Sequence, residues 1–306
     1  MTGATRVARS QGVVPLLVRA MGLLTFLAGL LAPSLGAHAA SPTRFYVEVL
    51  GQGPDVILIP GLASSSDVWS PTVAALQGRY RLHVVQVNGF AGAPAGANLQ
   101  GPVVEGLVTQ LADYIRTNKL ARPAVIGHSM GGFTGLSLAR GYPDLVGRLM
   151  VVDALPFFSV LINPMATAQS IEPQASAIRS NFLSMTDEKL AQVQADALSR
   201  LVKSPQGRTD ALAWSLASDR TVTGQVTYEI MTSDLRSQLG SIQTPVTVLF
   251  ARDDSMGLGA SYIEPIFRNN YTGLANARIV RIDGALHFIM LDQPEAFLRE
   301  VMIFLS

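Results

Sequence analysis

The sequence predicts a mostly parallel, doubly wound α/β sheet interrupted by a helical insert. Three observations carry that prediction. Short apolar runs alternate with helix-patterned stretches from Phe45 to Val152 and again from Val246 to Phe304, the rhythm of strand–helix–strand units that cover both faces of a sheet. The rhythm stops between residues 155 and about 240, where helical periodicity continues without a convincing strand. Third, the run Pro123-Ala124-Val125-Ile126-Gly127-His128-Ser129-Met130-Gly131-Gly132 passes from strand through a sharp turn into a helix, with a serine at the apex.

The chain has 306 residues, 48% hydrophobic and 15% charged, enough for one large core. Its first 39 residues read as a secretory signal peptide. Arg6, Arg9 and Arg19 are followed by the apolar run Met21 to Ala32 and the small-residue site Ala37-His38-Ala39-Ala40. The apolar core is shorter than the ~20 residues of a spanning helix. Cleavage is expected after Ala39, with Ala40 the alternative, giving a mature chain that is periplasmic or secreted. No later stretch is long and apolar enough to be an integral membrane segment. Without the three leader arginines, 20 basic residues face 22 acidic ones. A mature net charge near −2 gives no electrostatic case for nucleic acid. There is no cysteine, which excludes disulfides, a thiol nucleophile and a thiolate metal site.

Each element has a local reason. Phe45 to Leu50 alternates like a strand and meets the turn Gly51-Gln52-Gly53-Pro54-Asp55. Val56 to Ile59 is a buried strand that stops at Pro60-Gly61, and Ser66 to Gln77 is the helix after it. Arg81 to Val87 is a strand, and Asn88 to Gly101 a glycine- and alanine-rich loop. Pro102 opens a helix to Lys119 at a favoured first-turn position. The serine turn and its helix follow, then the strand Arg148 to Val152, ending at Asp153. Residues 155–240 form the expected lid. Within it Asp187 to Lys203 is helical through Leu190, Val193, Ala197, Leu198 and Leu201, and helical runs near 206–217 and 224–239 follow. The core, residues 40–154 and 241–306, resumes with the strand Val246 to Phe250. A helix near Tyr262 to Arg268, the strand Arg278 to Ile282 and a helix from Pro294 to Phe304 complete it.

The serine turn carries the chemistry. A G-x-S-x-G turn between strand and helix holds its serine in a strained conformation that exposes the hydroxyl, and the flanking glycines leave room for the neighbouring backbone. The helix beginning there offers free N–H groups to developing negative charge. A serine hydroxyl needs a base, and the base an orienting acid. Of the four histidines, His38 leaves with the leader, His128 adjoins Ser129 on a turn that points neighbours apart, and His83 lies early on a strand. His287, in the loop after the last strand, is the candidate base. The acid is expected after a strand between serine and histidine. Asp254, in Ala251-Arg252-Asp253-Asp254, is the candidate, with Asp153 as competitor. The oxyanion donors are expected to be the backbone N–H groups of Met130 and Leu62, because Pro60 has none. Trp69, Trp214 and Met231, with Met185 and Tyr228, are candidates for an apolar acyl pocket, or for packing.

With G-H-S-M-G-G at 127–132 and H-F-x-x-x-x-x-P-E from His287 to Glu295, the sequence resembles the α/β-hydrolase superfamily, in its lid-bearing esterase, lipase and C–C hydrolase branch. The resemblance runs from about Phe45 to Phe304 and sets the family's acid at Asp254, through the strand-end pattern that appears here as Ala251-Arg252-Asp253-Asp254. The usual H-G of the oxyanion loop is Pro60-Gly61 here. Together with the leader of residues 1–39, the resemblance implies an exported serine hydrolase that cleaves carboxylic esters of small-molecule substrates through an acyl-enzyme on Ser129, with no cofactor and no metal. Two other readings accompany it. One is C–C bond or lactone hydrolysis, or cofactor-free haloperoxidase-like perhydrolysis, on the same triad. The other is a non-catalytic protein that binds an apolar ligand.

Overall fold

A computed structural model describes residues 43–257, 259–275 and 277–306. The signal-peptide reading of residues 1–39 lies outside the described residues. Among the described residues, seven strands make one sheet: β1 (Phe45–Leu50), β2 (Asp55–Ile59), β3 (Arg81–Val87), β4 (Ala124–His128), β5 (Arg148–Val152), β6 (Val246–Arg252) and β7 (Arg278–Asp283). They lie in the order β1-β3-β2-β4-β5-β6-β7. Only β1 is antiparallel, pairing along β3 from Phe45 opposite Val87 to Leu50 opposite Leu82. All other neighbours are parallel. The chain builds outward from β2 in one direction to β3 and in the other to β4. That reversal opens a crevice at the carboxyl ends of β2 and β4, where ligands bind in open α/β sheets.

The helices are α1 (Ser70–Leu76), α2 (Val103–Thr117), α3 (Met130–Gly141), α4 (Ala168–Ser184), α5 (Asp187–Leu198), α6 (Pro205–Ala217), α7 (Arg220–Thr232), α8 (Gly259–Asn270), α9 (Ile289–Asp292) and α10 (Pro294–Leu305). Alternation along the strands splits the core in two. Ile57, Ile59, Val125 and Val151 face one way and pack with α2, α3 and α8, while Val56, Leu58, Ile126 and Val152 face the other and pack with α1 and α10. Both faces of the central strands are dry, which accounts for their continuous apolar runs.

Between β5 and β6 the chain forms α4 to α7. Helix α4 was not visible in the sequence pattern. It carries Pro173 inside, and among its residues only Ile171 and Ala175 are buried, so no apolar stripe marks it. It is held instead by a capping box between Thr167 and Ser170 and by packing against α7, where the Arg179 guanidinium lies 4.3 Å from the centre of the Tyr228 ring. The helix expected over Asp187–Lys203 ends at Leu198, where Ser199 caps it.

The inserted helices are bonded to the core at specific points. Asp219 N–H donates to the Gly89 carbonyl at 2.7 Å, and Gly92 N–H to the Ala217 carbonyl at 3.0 Å. Helix α2 has Pro102 at its N-cap and no side-chain cap of its own. Both oxygens of Glu229, on α7, fill that role by accepting Val103 N–H at 2.8 Å and Val104 N–H at 2.7 Å.

Candidate active site

Ser129 follows β4 directly and is the N-cap of α3, with φ 53° and ψ −120°. A non-glycine residue in this region is strained and persists only where its surroundings enforce it. Here the glycines enforce it. A Cβ on Gly127 would lie 2.2 Å from the Gly131 carbonyl oxygen, and one on Gly131 would lie 2.3 Å from that of Ile59. The turn can therefore pass close beneath the loop that follows β2. Gly61 of that loop lies so near that a Cβ on it would come within 3.2 Å of Ser129 Cβ.

Met130 is the first residue of α3, and Leu62 follows Gly61; both line the same cavity as Ser129. Among the described residues neither backbone N–H has an acceptor. Two free donors beside a half-buried serine that lines the cavity suit a developing oxyanion.

His287 also lines the cavity. Its Nδ1–H donates to Asp153 Oδ2 at 2.7 Å, which leaves Nε2 as the available nitrogen. The carboxylate on His287 is thus Asp153, and the expectation of Asp254 is corrected. Asp254 starts a short 3-10 turn, has an 89% exposed side chain and pairs with Arg252 at 2.8 Å. The reason is the path of the chain beyond β6. Asp253 turns inward to cap that 3-10 turn through Ser255 N–H and to take Lys203 Nζ at 2.6 Å, which sends Asp254 out into solvent. Those bonds, Lys203 foremost, lower the Asp253 carboxyl to about 2. Asp153 is better placed because β5 lies directly beside β4. Its backbone, at φ 48°, turns the carboxylate back over the strand ends, and Oδ1 is anchored by Ala251 N–H at 2.8 Å.

His128 has a part that sequence reasoning missed. Its ring is fully buried, 4.6 Å from the His287 ring and 4.7 Å from that of Phe288. Burial, and then the neighbouring His287, push its basicity well below that of an ordinary histidine. The neutral ring carries its proton on Nε2 and donates to the His287 carbonyl at 3.1 Å. Its Nδ1 has no partner among the described residues and faces Gly61, where a Cβ would approach within 2.8 Å. The small residue in the loop after β2 was the one available signal. His83 belongs elsewhere, bonded to Asp55 at the start of β2 and to Tyr114 on α2.

The cavity has a volume of about 880 Å³ and a largely apolar wall. Of the pocket candidates, Met231 and Met185 line it, alongside Phe158, Leu161, Phe182 and Ile230. Trp69 does not; it is fully buried in the core that packs with α1 and α10, against Phe297, ring centres 6.1 Å apart. Trp214 is half-buried and packs with the cluster that includes Leu198 and Ala211, which line the cavity, but does not line it itself. Tyr228 is turned to Arg179 and Glu172. Among the described residues no group of three or more His, Asp or Glu side chains is arranged to hold a metal ion, and no helix is long and apolar enough to cross a membrane.

The sequence model of the alpha/beta hydrolase fold family matches residues 54–294, a span that takes in the Ser129 turn, Asp153 and His287. The chain belongs to the alpha/beta hydrolase fold family. Among its relatives is the pimeloyl-[acyl-carrier protein] methyl ester esterase of Nitrosomonas europaea, 28% identical over 265 residues, which cover 82% of this chain and 96% of that protein. The fold is similar to that of the enol-lactonase from Burkholderia xenovorans LB400, with a TM-score of 0.69 at 21% identity over 85% of this chain and 96% of that one. It is equally similar to a bromoperoxidase from Bacillus anthracis, with a TM-score of 0.70 at 18% identity over 85% of this chain and 95% of that one.

Proposed function

We propose that this member of the family is an exported serine hydrolase that cleaves small carboxylic esters through an acyl-enzyme. The observation that carries the reading is a combination. Ser129, strained at φ 53°, shares an apolar cavity with His287, whose Nδ1 is held by Asp153 at 2.7 Å. In this reading His287 Nε2 takes the Ser129 proton as Oγ attacks the ester carbonyl. The carbonyl π electrons move onto its oxygen, which the N–H groups of Met130 and Leu62 receive. Collapse of that intermediate expels the alcohol, protonated by His287, and leaves the acyl group on Oγ. Water then repeats the sequence and frees the acid. Asp153 keeps the imidazole in the tautomer that presents Nε2 and stabilises the imidazolium. The esterase relative supports ester cleavage, the apolar wall supports an apolar acyl chain, and the residue 1–39 pattern supports export.

A fluorophosphonate probe tests the reading. Wild-type protein should be labelled and should hydrolyse p-nitrophenyl esters with a burst. Ser129→Ala should keep its fold, escape labelling and lose orders of magnitude of activity. Residual turnover within about tenfold of wild type, or absence of labelling in wild type, overturns the proposal. Lactones, diketones and acetate with peroxide, run on the same protein, show whether the triad prefers another bond.

A further inference from the structure

Three successive residues around the base have their backbone held from outside their own loop. Leu286 N–H donates to Asp292 Oδ2 at 2.9 Å, the His287 carbonyl accepts from His128, and Phe288 N–H donates to the Leu201 carbonyl at 3.2 Å. The first and third of these lead to the inserted helices. The other oxygen of Asp292, Oδ1, accepts the N–H groups of both Lys203 and Ser204 at 2.9 Å. Those residues join α5 to α6, and Ser204 is the N-cap of α6. The same junction is tied to the end of β6 by Lys203 and Asp253. Leu198 and Leu201, just before it, form part of the cavity wall.

We infer that Asp292 is a positioning residue that sets His287 and the α5–α6 wall of the cavity as one unit. The inference rests on the serine-hydrolase reading above. The chemistry asks for a carboxylate. Three N–H groups converge on it, and a carboxylate offers two oxygens with about four acceptor sites. An amide would offer one oxygen and turn its own donors toward the remaining N–H groups. The charge also sits at the amino end of α6, where a helix favours an anion. Asp292 touches neither Ser129 nor a reacting atom. Its effect passes through Leu286 to the next residue, His287. A substrate chain pressing on Leu198 and Leu201 meets a wall that shares its anchor with the base.

The test compares Asp292→Asn with Asp253→Asn. Both remove a tie on the α5–α6 junction, but only the first touches the loop of the base. Each is measured for melting temperature, for kcat and KM on a p-nitrophenyl ester, and for the rate of fluorophosphonate labelling, well below its melting point. Asp292→Asn is expected to lower kcat and the labelling rate together by about 10- to 100-fold, the scale of a misplaced catalytic group, with KM nearly unchanged. Asp253→Asn is expected to lower the melting temperature and leave kcat within about threefold. Asp292→Glu keeps the charge at a longer reach and should fall between wild type and Asp292→Asn; it also provides a folded variant if the amide is too destabilising. A labelling rate for Asp292→Asn within about threefold of wild type, or equal losses of rate in the Asp292 and Asp253 variants, overturns the positioning role alone. Absence of labelling in wild type defeats the serine-hydrolase reading, and this role with it.

Discussion

Asp153 bridges two neighbouring strands and the base: its Oδ1 accepts Ala251 N–H at 2.8 Å while its Oδ2 accepts His287 Nδ1–H at 2.7 Å. The acid is thus anchored before it orients anything. The bond to β6 fixes the bearing of the carboxylate, and the carboxylate fixes the imidazole. Burial beside that charge also raises the Tyr271 hydroxyl well above its usual value, so it stays protonated and donates to the Ala154 carbonyl at 2.7 Å.

Asp153→Asn should therefore leave the backbone intact and lower kcat by roughly four orders of magnitude, because the amide offers His287 the wrong tautomer. Asp254→Asn should leave kcat within about twofold of wild type, since an exposed pair such as that with Arg252 contributes little. Steady-state hydrolysis of one ester by both variants checks the assignment. Equal losses in the two would refute it.

Chain-length preference should follow the cavity wall. Each methylene buried is worth ~0.8 kcal/mol, so kcat/KM should rise several-fold per added carbon until the wall is reached. Met231→Ala enlarges the cavity and should move that optimum to longer acyl chains. Trp214→Ala, at a residue that packs with the cluster of Leu198 and Ala211 but does not itself line the cavity, should lower stability and move the optimum less than Met231→Ala does. An ester series on the two variants reads both outcomes.

His128 should make the fold sensitive to mild acid. Buried and neutral, it refuses a proton that the unfolded chain accepts near 6.5. The unfolded state then binds more protons below that value, so stability falls as pH drops through it. His128→Gln, which can still donate to the His287 carbonyl, should lack this component. Its melting temperature should decline less than that of wild type between about pH 7 and pH 5. Parallel curves for the two proteins would count against a buried neutral His128.

Asp253 acts at lower pH and with the same sign, although here the charged form is the one the fold favours. Its carboxyl is depressed from 3.8 to about 2 by Lys203 and Ser255. The stability this confers is complete above 3.8 and is lost as pH falls toward 2. The melting-temperature gap between wild type and Asp253→Asn should accordingly shrink from about pH 5 to about pH 2. A gap that stays constant over that range would mean the pair with Lys203 does not hold in solution.

Features that depend on contiguous residues are legible in the amino-acid order alone. The alternation of apolar strands and helices specified the parallel sheet. The turn at Ser129 was legible because strand, glycines and helix adjoin in the chain, and the glycines at 127 and 131 leave one backbone solution. His287 was reachable by elimination and by its place after the last strand. Tertiary structure decided what depends on strands far apart in sequence. Asp153 and Asp254 both follow strands, and only the lie of β5 beside β4, together with the inward turn of Asp253, settles which carboxylate meets His287. The part of His128 depended on the space left over Gly61, and that of Asp292 on an α5–α6 junction more than 80 residues away arriving beside it. Trp69 and Trp214 show the same limit. An aromatic on a helix is apolar whichever neighbours receive it, and only packing decides whether it lines the cavity or not.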